Sequence, residues 1–122
     1  MLLSIYQIDA FAEKQFEGNP AAVIPLENWL PDSTMQSIAE ENNLAETAFF
    51  VSTTNGYHIR WFTPTTEVKL CGHATLASAY VLFNIMKIPQ KTIEFQSLSG
   101  ILNVSQKGDL LSLDFPTQAA TP

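Results

Sequence analysis

The chain has 122 residues, 46% hydrophobic and 15% charged, which fits one compact domain with a modest core and excludes a disordered polymer. Six Lys and Arg against twelve Asp and Glu give a formal charge of -6, which would repel a nucleic-acid duplex or an anionic membrane but leaves room for a small anion held by local amides. A single cysteine excludes an internal disulfide and suits a reducing cytoplasm.

The opening "MLLSIYQIDAF" lacks a basic region and reaches Asp9 early, so it reads as a strand rather than a signal peptide. Gly18-Asn19-Pro20 is turn chemistry, and Ala21 to Leu26 reads as a second strand. In "LPDSTMQSIAEENNL", Ser33 followed by Gln36 matches a capping box. Met35, Ile38 and Ala39 share one face of the amphipathic helix that follows, which ends near Asn42-Asn43. "TAFFVS" and "YHIRWFT" are β-rich runs whose linker carries the hairpin pair Asn55-Gly56, and Pro64 stops the second.

The stretch "KLCGHATLASAY" opens a helix predicted over Ala74 to Met86 with almost no polar stripe, so it must be wrapped on all sides. It is interrupted by Ser78 and Asn84 and too short to span a bilayer. "TIEFQS", "GILNVSQ" and "LLSLDF" read as three more strands, the last two joined by "KGD". The expected fold class is α+β: a curved, mostly antiparallel sheet around one apolar helix, with the amphipathic helix outside. One domain is expected over 1–116, with 117–122 as linker or tail.

The segments "IDAFAEKQFEGNPAAVIPLENWL", "MQSIAEENNLAETAFF", "IRWFTPTTEVKLCGHATLASAYVL" and "SLSGILNV" with "LDFP" cover most of the chain. In that order they resemble the phenazine-biosynthesis PhzF-like family, relatives of diaminopimelate epimerase. The resemblance implies an incomplete barrel around a central helix. It also implies a two-domain protein with the site in the cleft between the domains, of which this chain would be the N-terminal one. The family's second-half motif, an Asp-Pro-Val-Thr-Gly-Ser-like stretch, is not in this chain.

Glu46 lies between a helix end and an apolar strand, where burial beside Phe49 and Phe50 would disfavour its charged form. Taken alone it reads as a solvated helix-end residue; the resemblance makes it the general acid/base of a cofactor-independent isomerase. Many relatives have serine where this chain has Ala45. Gly72 and His73 start the apolar helix, where bare amides and the positive dipole end suit a carboxylate. His73 equally suits a structural cap, and the resemblance puts both residues in the substrate pocket. Cys71 at the helix start should have a lowered thiol pKa. It falls in the loop that supplies a catalytic cysteine in diaminopimelate epimerase, yet no second thiol exists here. It is assigned as a pocket-lining residue, with a cysteine-based racemase as a rival. Asn19 reads from the sequence first as a turn-stabilising asparagine; the resemblance places its turn near the cleft and makes it a substrate-contact candidate. Asp9, Glu67 and His58 read as solvated or surface residues. No cluster suits a metal and no glycine-rich phosphate fingerprint follows a strand, so neither a metal nor a nucleotide cofactor is expected. The partners implied are a small carboxylate-bearing substrate and a missing C-terminal domain or a second copy in a homodimer. The rival from another class is a non-catalytic half acting as an association domain.

Overall fold

A computed structural model of the chain describes residues 3–8, 20–108 and 110–114. Among these, eight strands and two helices alternate: β1 (Tyr6–Ile8), β2 (Ala21–Leu26), α1 (Asp32–Asn42), β3 (Glu46–Ser52), β4 (Tyr57–Phe62), β5 (Glu67–Val68), α2 (Gly72–Tyr80), β6 (Thr92–Ser97), β7 (Gly100–Lys107) and β8 (Leu110–Asp114). They form a single sheet in the order β1-β2-β3-β4-β6-β7-β8, with β5 paired to β4. Two neighbour pairs are parallel, β2 with β3 and β4 with β6; the rest are antiparallel. The mixed sheet curls into a half-barrel around α2, the α+β architecture expected from the sequence.

Side-chain alternation along the strands decides which face meets which helix. Ala21, Val23, Ala48, Phe50, Ile59 and Trp61 point inward and pack on Ala74, Ala77, Ala79, Val81 and Leu82 of the central helix. From the same strands, Ile24, Leu26, Phe49 and Phe62 point outward onto Met35 and Ala39 of α1. Strands covered on both faces therefore read as near-continuous apolar runs. β6 and β7 carry no helix outside: Ile93, Phe95, Leu102 and Val104 are buried on the inner face, while Thr92, Gln96 and Ile101 are exposed on the other.

Several expectations need correction. The Ser33–Gln36 capping box does not form, because the helix starts two residues earlier. Pro31 is the N-cap without a side-chain bond, and Gln36 Nε2 donates instead to the Thr63 carbonyl at 2.9 Å. The central helix begins at Gly72 rather than Ala74 and continues past Tyr80 as a π-helical stretch, Val81–Ile85. Its wrapping is incomplete, since Tyr80, Ile85 and Met86 remain 39, 43 and 48% exposed. The Asn55-Gly56 hairpin forms, but neither residue has a positive φ. Glycine is required there for another reason: a Cβ at position 56 would collide with the Glu94 carbonyl of β6. β5 escaped prediction, being two residues long. The end of the expected opening strand beyond Ile8, the Gly18-Asn19 turn and the tail at 117–122 lie outside the described residues.

Candidate active site

Glu46 is the first residue of β3, in register with Ala21 of the parallel strand β2. It shares the parity of Ala48 and Phe50, so its side chain faces the interior at the leading end of α2. Its Oε1 is buried and has no hydrogen-bond partner among the described residues. A buried carboxylate oxygen left unpaired carries a desolvation cost, which sites that must engage a ligand accept. Next to it, Thr47 is buried on the outer face and its Oγ1 accepts from Asn42 Nδ2 at 3.3 Å, joining the end of α1 to the start of β3.

Cys71 is the N-cap of α2, with extended backbone and its sulfur half-buried against the inner cluster. Burial pushes its thiol up from 9.0 to about 11. The Ala74 amide opposes the rise, the nearby negative charge of Glu46 adds to it, and the His73 amide opposes it. The expected lowering is thus overturned: the helix amides do favour the thiolate, but desolvation outweighs them. Neither amide meets the sulfur closely enough to make a side-chain cap. The Glu46 charge acts on the Cys71 thiol, in keeping with an inward-facing carboxyl on the side of the leading turn of α2. Gly72 and His73, both half-buried, complete that turn. Asn19 and Asp9 lie outside the described residues. Among the described residues no group of three or more His, Cys, Asp or Glu is placed to hold a metal ion, and no helix is long and apolar enough to cross a membrane.

The segment entering α2 is held from three directions. Arg60 forks onto Glu67, with Nε to Oε2 at 2.8 Å and Nη2 to Oε1 at 2.9 Å, while Nη1 reaches Asp32 at 3.1 Å. The guanidinium also lies over the rings of Trp29 and Phe62, at 5.4 and 5.5 Å. Glu67 is therefore a paired anchor of β5 rather than the solvated acid expected. Ser99 Oγ donates to the Lys69 carbonyl at 2.6 Å. From inside, the buried Trp61 indole donates to Thr75 Oγ1 at 3.0 Å, and that hydroxyl donates to the Cys71 carbonyl at 2.7 Å. His58 is half-buried, its ring edge-on to Trp29 with centroids 5.2 Å apart. Sequence reasoning missed these supports. The signals available were a threonine four residues after Cys71, able to back-bond its carbonyl, and a tryptophan in a core strand, whose N–H needs a partner.

The chain is similar to known proteins in sequence and fold. The family model for phenazine biosynthesis-like proteins fits residues 8–122. The chain is 52% identical over 122 residues to an uncharacterized isomerase of Pseudomonas aeruginosa, covering 100% of this chain and 47% of that protein. The crystal structure of a PhzF-family phenazine biosynthesis protein from Enterococcus faecalis superposes with a TM-score of 0.85 at 54% identity, over 91% of this chain and 43% of that one. A predicted epimerase from Pseudomonas aeruginosa is similar at 25% identity with a TM-score of 0.71, over 88% of this chain and 40% of its own. The chain spans about half the length of these relatives. With sequence match, half-barrel and central helix in agreement, the chain belongs to the phenazine biosynthesis-like PhzF family.

Proposed function

We propose that this chain is the N-terminal domain of a PhzF-like isomerase or epimerase that moves a proton on a small carboxylate-bearing substrate without a cofactor. Glu46 is the general acid/base. The amides at Gly72 and His73 receive the substrate carboxylate, with Cys71 lining the pocket and Asn19 contributing a polar contact. The observation that carries this reading is the buried, unpartnered Oε1 of Glu46 beside the first turn of α2. A carboxyl in such a setting can take a proton from one carbon and return it to another. The second domain, or a second copy in a cytoplasmic homodimer, closes the cleft.

Deuterium wash-in from heavy water tests the proposal, followed by NMR over a panel of amino and aromatic carboxylic acids with the second domain supplied. The native chain exchanges a carbon-bound proton of its substrate. Glu46→Gln lowers that exchange by about a hundredfold or more while the melting temperature holds. Unchanged exchange in the variant removes Glu46 from the mechanism.

A second reading is supported by the exposed apolar side chains near the site: Leu70, preceding Cys71, and Leu98, beside Ser99, which bonds the same loop. In that reading the chain is a non-catalytic half that associates through this rim. Light scattering that returns a dimer, together with no wash-in even when the second domain is present, favours it.

A further inference from the structure

We propose that Thr75 is a positioning residue for the leading turn of α2, working through a relay from Trp61 on β4 to the backbone carbonyl of Cys71. The donor directions are fixed by the groups themselves. An indole N–H can only donate, so the Thr75 oxygen accepts from Trp61 and its single proton goes to the Cys71 carbonyl. That carbonyl also accepts the Thr75 backbone amide at 3.1 Å, so one residue closes the turn twice. Thr75 and Trp61 are both buried, so water has no access to the bond between them, and the bond to the Cys71 carbonyl is partly buried. Ser78 offers the contrast. It too bonds the carbonyl four residues back, Ala74 at 2.9 Å, but no bond ties it to the sheet. At Thr75 the helix's self-bond is extended into the barrel wall, and it lies at the leading turn of α2. What the turn does for a substrate rests on the function proposed above; that Thr75 holds the turn does not.

The test reads the Cys71 sulfur, which sits on the carbonyl-bearing residue and needs no substrate. The probe is iodoacetamide at pH 8, with thiolate absorbance followed in parallel as pH rises. In the native chain the thiol, pushed up to about 11, is alkylated slowly. Thr75→Val keeps the shape but removes both side-chain bonds. The turn loosens, the sulfur gains water, and alkylation accelerates by roughly tenfold to a hundredfold as the thiol returns toward its ordinary range. Thr75→Ser restores the hydroxyl and the slow rate. Met35→Ala, a cavity in the outer cluster under α1 on the other side of the sheet, serves as the control for lost stability and stays slow below its own melting temperature. If Thr75→Val does not fold, Trp61→Phe removes the indole donor and shows a smaller acceleration in the same direction. A native rate in Thr75→Val, or in Trp61→Phe where Thr75→Val does not fold, or a Thr75→Val rate no faster than that of the Met35→Ala control, overturns the proposal. A failed wash-in experiment with Glu46→Gln leaves this outcome untouched, so the two readings fall separately.

Discussion

The two helices meet the same three strands from opposite sides and are built by different rules. α1 carries polar residues outward and seats only Met35 and Ala39 fully, in a small cluster with Ile24, Leu26, Phe49 and Phe62. α2 is threaded with alanines and, together with the π-helical stretch, buries Ala74, Ala77, Ala79, Val81 and Leu82 completely. Small side chains on its first turns pack against Ala21, Val23, Ala48 and Trp61 of the sheet. Past the buried Val81, Leu82 and Phe83, Ile85 and Met86 emerge to solvent. The outer helix covers the sheet; the inner one is enclosed by it, and its leading turn, Cys71 to His73, stays half-buried.

The largest test of that asymmetry is truncation. Leu82→Ala empties part of the larger, rigid cluster and should cost about 3 to 5 kcal/mol, since surrounding β-strands cannot collapse into the gap. Met35→Ala should cost nearer about 2 kcal/mol, because half-buried Leu30, Trp29 and Ile38 can settle inward. Urea unfolding of both variants checks the ranking. Equal losses would mean that the outer layer is packed as tightly as the inner one.

A smaller effect separates the site end of α2 from the rest of the core. The folded-state thiol of Cys71 is raised above its unfolded value of 9.0, so the protonated form is favoured by folding. That stability is fully present below pH 9 and disappears as pH climbs through about 11. The amount at stake is roughly 2 kcal/mol. Burial raises Tyr57 as well, so the native chain alone mixes two titrations. The difference between native and Cys71→Ser stability, measured from pH 8 to 11.5, isolates the thiol; a flat difference would remove its buried character.

What the sequence disclosed follows the same division. Ala21–Leu26, Thr92–Ser97 and the Asn55-Gly56 hairpin were legible because local pattern alone specifies them. Gly72, His73 and Glu46 were legible as candidates through their motif, not through periodicity. The π-helical stretch, the two-residue β5 and the Arg60–Glu67 fork were not legible, because each depends on contacts distant in sequence or on an extra residue per turn that apolar pattern does not encode. The Cys71 thiol was misjudged for a related reason. Sequence exposes the helix terminus that lowers a thiol, but not the burial that overrides it.

The smallest expected effect lies in how the two helices end. α1 stops at Asn43, whose φ of 54° is left-handed and whose amide returns to Ala39 at 3.1 Å. The π-helical stretch closes differently: Met86 donates to Val81 at 2.8 Å and Ile88 to Leu82 at 3.1 Å, with Lys87 left-handed between them at φ 57°. Asparagine tolerates that region through its short polar side chain, whereas lysine bears the full Cβ clash. Lys87 is exposed, so replacing it removes little packing. Lys87→Gly should therefore raise stability by about 0.5 to 1 kcal/mol, while Asn43→Gly should change it by only a few tenths. Thermal melts that rank the two the other way would mean that the inner helix's unusual ending is relaxed rather than imposed by the wall around it.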